Sequence, residues 1–198
     1  MKRILILFSH PKFEKSRTNS VMVDHIKDIP GVTFRDLYEC YPDFHIDVEA
    51  EKELLSAHDV IIWQHPFYWY SCPPIMKQWM DMVLEFGWAY GPNGVALKNK
   101  TWLNVITTGG AREVYCSAGS NSYTVNEFLR PFEQSANLCG MNYFPPFAVM
   151  GTHSLSKAEV KEYALEYVKL IDLLQQGLSL GDFKKCAFLN DIPQLKTQ

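Results

Sequence analysis

The 198-residue sequence predicts an α/β fold: a doubly wound, five-stranded parallel sheet in a three-layer α/β/α arrangement. Three observations predict it. Apolar periodicity switches repeatedly between strand-like and helix-like segments. The strand-like runs are short and continuously apolar, as strands buried on both faces are. No internal repeat or low-complexity linker interrupts the alternation, so residues 1–198 are expected to form one domain of ordinary length.

Arg3 to Phe8 reads as the first strand, and Thr18 to Asp28 as a helix with Val21, Met22, His25 and Ile26 at helical spacing. Pro30-Gly31 is a turn before a second strand, Val32 to Leu37. Asp47 can cap a helix that runs to Ala57, and Val60 to Trp63 is the third strand. Pro74 to Leu84 reads as a helix, since proline is tolerated in a first turn. Trp102 to Thr107 is the fourth strand, Asn126 to Ala136 a helix, and Phe147 to Met150 a weaker fifth strand. In the last helix Ser156 and Glu159 form a capping box, and Val160, Tyr163, Ala164, Tyr167, Val168, Ile171 and Leu174 repeat at helical spacing until Gly177. The tail from 183 to 198 has no predicted place.

Composition excludes several classes. At 47% hydrophobic and 21% charged, the chain can bury a core. A net charge of −3 gives no electrostatic footprint for nucleic acid. Five scattered cysteines without a C-x-x-C pair fit neither a disulfide framework nor a zinc site; reduced thiols and a cytoplasmic location are expected. The apolar run Ile4 to Phe8 is too short for a signal peptide, and prolines break the longest uncharged stretch, Val60 to Met76. The aromatics are uneven: four of the five tryptophans fall between Trp63 and Tyr90.

In the strand order 2-1-3-4-5, ligands bind beyond the carboxyl ends of the strands at the switch point. The residues following Phe8, Trp63 and Thr107 should therefore share one crevice. After the first strand, His10, Lys12, Lys15, Ser16, Arg17, Thr18 and Asn19 lead into a helix N-terminus, a setting suited to phosphate; Ser16 and Thr18 serve equally as N-caps. The loop has no glycine, so dinucleotide and P-loop fingerprints are absent, and Asp36 reads as a surface residue rather than a ribose contact. After the third strand, Pro66, Phe67, Tyr68, Trp69 and Tyr70 form a proline-flanked loop of rings. It suits either a flat conjugated ligand or a dimer surface. After the fourth, Thr107-Thr108-Gly109-Gly110 lets backbone N–H groups approach a ligand's polar edge. His10 and His65 both follow strand ends and could meet, but no third ligand is suitably spaced and no metal site is expected. Trp63, Met76, Trp79, Met80 and Val83 are assigned to the core.

Assembled, these loops resemble the flavodoxin-like NAD(P)H:quinone oxidoreductases, and most nearly the ancillary flavoproteins of glutathione-regulated potassium-efflux systems. The carrying motifs are S-H-P…S-R-T-N, D-L-Y…Y-P-D-F-x-I-D from Asp36 to Asp47, and W-Q-H-P-F-Y-W-Y-S-C-P-P from Trp63 to Pro74. G-W-A-Y-G from Gly87, I-T-T-G-G from Ile106 and L-R-P-F-E from Leu129 add to them.

The resemblance implies a homodimer that binds one flavin per subunit, FMN in preference to FAD, and carries hydride from NAD(P)H to a quinone or similar electrophile. By the same resemblance, His10, Ser16, Arg17, Thr18 and Asn19 would hold the phosphate end. Phe67 to Tyr70 would line the ring, and Thr107 to Gly110 would meet its polar edge. Tyr115 matches a tyrosine that hydrogen-bonds the reduced ring in quinone reductases. Those enzymes place a histidine six residues on, where this chain has Asn121. The loop of Trp88 and Tyr90 would cover the partner subunit's flavin. A regulatory role on a membrane potassium-efflux transporter, at the inner membrane face, is the alternative. A flavodoxin-type electron shuttle is disfavoured by the modest charge.

Overall fold

The computed structural model describes residues 1–178 and 186–196. Its sheet is wholly parallel. Strands β1 (Ile4–Phe8), β2 (Val32–Asp36), β3 (Val60–Pro66), β4 (Thr101–Thr107), β5 (Asn142–Tyr143) and β6 (Phe147–Val149) follow the spatial order β2-β1-β3-β4-β5, and β6 also pairs with β4. β6 is the strand expected from Phe147 to Met150, whereas β5 was not expected; the two are in register with different stretches of β4. Between them lies Phe144-Pro145-Pro146, where proline removes ladder donors.

Strand alternation splits the core. Ile4 and Ile6 face one side, where α1 (Arg17–Ile26) and the last helix, Lys157–Gln176, pack. Leu5 and Leu7 face the other, against the helices Val48–Ala57, Pro74–Val83 and Arg130–Leu138. Numbered in chain order, the helices after α1 are α2 (Leu37–Cys40), α3 (Val48–Ala57), α4 (Pro74–Val83), α5 (Val125–Phe128), α6 (Arg130–Leu138) and α7 (Lys157–Gln176). Trp63, Met76, Trp79 and Val83 are core, as expected, and Met80 packs against them; Trp79 also donates its indole N–H to the buried Glu51 carboxylate at 2.8 Å.

Several sequence readings need correction. Asp36 is not a surface residue: it is buried and caps α2, accepting the Tyr38 N–H at 3.0 Å. The helix expected from Asn126 to Ala136 is two helices. Thr124 and Glu127 make a capping box for α5, and the chain turns at Leu129 before Pro131 opens α6. β3 runs three residues past Trp63 and carries Gln64, His65 and Pro66 into the sheet. For α7 the capping box and the left-handed Gly177 stop are as expected.

The tail expected from 183 to 198 lies partly outside the described residues. Its stretch from 186 to 196 packs onto the α7 side: Leu189, Ile192 and Leu195 are buried there, and the Leu189 N–H bonds to the Pro146 carbonyl. Among the described residues no helix is long and apolar enough to cross a membrane.

Candidate functional site

The ends of β1, β3 and β4 lie side by side: Phe8 is in register with Gln64, and Pro66 with Thr107. Their loops enclose a cleft of about 470 Å³, within the usual range of small-molecule sites. His10, Lys12, Lys15, Ser16, Arg17, Thr18, Asn19, Pro66, Phe67, Tyr68, Thr107, Gly109, Thr152 and His153 line it.

One end is a helix N-terminus. Ser16 caps α1 by accepting the Asn19 N–H, leaving the Arg17 and Thr18 N–H groups without a protein acceptor among the described residues. Lys12 and Lys15 add positive charge and have no carboxylate partner among the described residues. The Arg17 guanidinium is partly committed: one nitrogen donates to the Thr152 and Leu155 carbonyls at 3.1 and 2.6 Å. His10 is buried, and desolvation lowers its pKa below the ordinary histidine value despite opposing help from its backbone and Glu14. Its Nδ1 accepts the Lys12 N–H at 3.2 Å, so the neutral ring carries its proton on Nε2 and is a donor there.

A buried polar chain fixes this end to the sheet. Asn19 donates to Ser16 Oγ and to Thr107 Oγ1, at 3.2 and 3.0 Å, while its carbonyl oxygen accepts from Gln64 at 3.5 Å. The buried Tyr167 hydroxyl of α7 donates to Gln64 in turn. Asn19 is thus more a tie between loop and strand than a free donor.

The other end is aromatic. Phe67 is buried and Tyr68 half-exposed on the wall, whereas Trp69 is 93% exposed and Tyr70 leans away, stacked on Phe128 at 4.8 Å. Trp69 and Tyr70 have φ of 50° and 62°, a strained pair for bulky side chains. Tyr70 also donates its hydroxyl to Asn121 Oδ1 at 3.1 Å.

Thr108 and Gly110 stand behind the wall. The Thr108 hydroxyl closes the turn onto the Gly110 carbonyl at 2.6 Å, and the Thr108 carbonyl accepts from Thr152. A Cβ on Gly110 would come within 3.2 Å of the Tyr115 ring, so Tyr115 sits just outside that turn. Burial raises the Tyr115 pKa above the ordinary phenol value, and its ring meets Phe67 edge-on at 6.0 Å.

Of the predicted flavin contacts, the structure therefore brings His10, Ser16, Arg17, Thr18, Asn19, Pro66, Phe67, Tyr68, Thr107 and Gly109 to one cleft. Trp69, Tyr70, Thr108, Gly110 and Tyr115 lie beside or behind it. Thr152 and His153 went unpredicted; they follow β6, and extending the strand-end rule to the fifth position would have found them. A Cβ at Gly109 would fall 2.6 Å from the His153 ring.

His65 does not meet His10. It is wholly buried; its Nδ1–H donates to the Pro66 carbonyl and its Nε2 accepts from Asn104, at 3.0 and 3.1 Å. Desolvation pushes its pKa down to about 4. Trp88 turns onto its own α3, where Lys52 lies over its ring at 5.5 Å; Phe86 is the exposed ring of that loop.

A profile of the flavodoxin-like fold family matches residues 2–171. The chain belongs to the flavodoxin-like fold family. An uncharacterized NAD(P)H oxidoreductase of Bacillus subtilis is 44% identical to this flavodoxin-like chain over 169 residues, covering 85% of it and 86% of the relative. A glutathione-regulated potassium-efflux system ancillary protein of Erwinia tasmaniensis is 40% identical over 165 residues, covering 83% and 90%. The crystal structure of general stress protein 14 from Treponema denticola, in complex with FMN, superposes with a TM-score of 0.83 at 38% identity, covering 87% of this chain and 99% of that one.

Proposed function

We propose that this flavodoxin-like protein is an FMN-dependent NAD(P)H:quinone oxidoreductase. The observation that carries the reading is the two-ended cleft: unpartnered backbone and lysine donors at one end, and an aromatic wall with a glycine turn at the other. The residues fit FMN on that ground. The open N–H groups of Arg17 and Thr18, with Lys12, Lys15 and the Nε2–H of His10, would hold a phosphate. At Gly109 the backbone is bare, and a side chain there would collide with His153. The FMN-bound relative and the oxidoreductase relative support the same reading.

Bound there, FMN would supply two-electron hydride acceptance from a nicotinamide and hydride donation to a quinone. The chain's residues orient and shield. Phe67, held by Pro66 and edge-packed against Tyr115 and Phe128, gives one rigid apolar wall. Tyr68 lines the mouth of the cleft. The Tyr115 hydroxyl, protonated at neutral pH like any phenol and more firmly so through burial, can donate a hydrogen bond beside the turn. Asn121 accepts from Tyr70 and has no proton to pass on as a histidine would, so Tyr115 acts by hydrogen bonding rather than through a relay. Two flat rings need only a slot to reach near-attack alignment.

The exposed rings of Tyr68, Trp69, Tyr70 and Tyr123 form a face suited to a second copy, and a homodimer through it is part of the proposal. A cytoplasmic location is part of the same proposal. The potassium-efflux relative favours a second role, docking on a membrane transporter; co-purification with such a transporter tests it. For the enzyme, initial rates with a benzoquinone and either nicotinamide should give the parallel lines of ping-pong kinetics; intersecting lines contradict a shared slot.

A further inference from the structure

We propose that Phe188 and Asp191 are positioning residues for the aromatic end of the cleft: they clamp Arg112 and thereby hold the turn that presents Tyr115. The inference deepens the oxidoreductase reading and rests on it.

The clamp has a defined geometry. Arg112 Nη1 and Nη2 donate to the two Asp191 carboxylate oxygens at 2.8 and 3.0 Å, a bidentate pair. The same guanidinium lies 4.7 Å from the centre of the Phe188 ring. Arg112 holds Asp191 below the ordinary carboxylate pKa, so the pair is charged at neutral pH.

The base of the clamp is fixed. The Leu189 N–H donates to Pro146 and the Ala148 N–H to Asn190 Oδ1, at 2.9 and 2.7 Å, stitching the segment to β6. Leu189, Ile192 and Leu195 are buried beside α7. Asn126 of α5 donates to the Ala187 carbonyl at 3.0 Å.

What the clamp holds is otherwise poorly anchored. Residues 112–114 form one short turn with no buried member, and its backbone bonds are local: Val114 N–H to Ala111 and Tyr115 N–H to Arg112. Yet that turn backs the aromatic wall, since Tyr115 meets the lining residue Phe67 edge-on at 6.0 Å. Val114 and Tyr115 close on Gly110, and the Val114 carbonyl accepts the N–H of Asn121, the residue that holds Tyr70. A half-exposed ion pair alone would add little stability. Here it is bidentate, stacked and seated on a buried base, so its effect should appear in site geometry rather than in folding. The segment lies beyond residues 2–171, the stretch that the family profile matches.

The test uses the full-length flavin-loaded protein. Asp191→Ala should raise KM for a benzoquinone about fivefold while kcat and FMN affinity change less than about twofold. The charge swap Arg112→Asp with Asp191→Arg should recover most of the lost KM. Asp191→Asn, which keeps the shape, takes the place of the alanine variant if the latter misfolds. On flavin-free protein, trypsin cleavage after Arg112 should quicken about tenfold in Asp191→Ala. An unchanged KM, or a KM shift that the swap fails to recover, overturns the positioning role. If the wild type shows no NAD(P)H turnover, the oxidoreductase reading fails by itself; trypsin then decides the clamp, and unchanged cleavage refutes it.

Discussion

The two ends of the cleft are built in different ways. At the phosphate end, one local segment supplies most of the chemistry: Ser16 caps its own helix, and His10 and Lys12 bond within three residues of each other. At the aromatic end the working parts come from far apart. Phe67 meets Tyr115 and Phe128, Tyr70 reaches Asn121, and Arg112 reaches Asp191. Backbone strain is concentrated there too, in the left-handed Trp69 and Tyr70. A helix N-terminus is an anion site as soon as the helix forms, whereas an aromatic slot exists only once distant segments have packed.

That contrast yields graded tests. The largest effect is expected at the root of the aromatic end, where neutral His65 holds the Pro66 carbonyl. Its folded pKa of about 4 lies below the ordinary value of 6.5, so between those limits the unfolded chain binds the extra proton. Stability should be whole above pH 6.5 and fall as pH drops towards 4, by up to about 3 kcal/mol. Urea midpoints at pH 7 and 4.5 should show the loss, and His65→Gln should flatten this slope; an unchanged slope would place the acid sensitivity elsewhere.

Next comes the phosphate end. The double change Lys12→Ala, Lys15→Ala should weaken FMN binding roughly 30-fold and leave riboflavin binding almost unaffected, since each charge-assisted contact contributes about 1 kcal/mol or more. Equal loss for both ligands, read by fluorescence titration, would erase the distinction between the ends. The smallest effect should follow Tyr115→Phe: a rise of about tenfold in KM for the quinone with kcat and FMN affinity nearly intact, as one lost hydrogen bond to the bound quinone would give. Loss of FMN affinity instead would make Tyr115 a binding residue.

The same contrast explains what could be read from the sequence. Ser16 and the Ser156–Glu159 capping box are local, and alternation of apolar runs placed β1, β3 and β4 with their ends at one crevice. Asp36 was misread because its cap depends on a four-residue helix too short to show periodicity. The break at Leu129 was missed because the apolar spacing continues across it, although Thr124 with Glu127 and Pro131 marked both helix starts. Thr152 and His153 follow a three-residue strand that carries little pattern of its own. The stretch from 186 to 196 repeats Leu189, Ile192 and Leu195 every third residue, too short a run to mark an element, and contacts to Pro146, Ala148 and Arg112 complete its placement.

One measurement reaches the central claim most directly: titration of flavin-free protein with FMN and with riboflavin, followed by flavin fluorescence. The cleft predicts one FMN bound per chain, with the ring signal perturbed against Phe67 and Tyr68, and riboflavin bound at least tenfold more weakly because it lacks the group for Lys12, Lys15 and the open end of α1. A protein that binds neither flavin, or binds both with equal affinity, would contradict it.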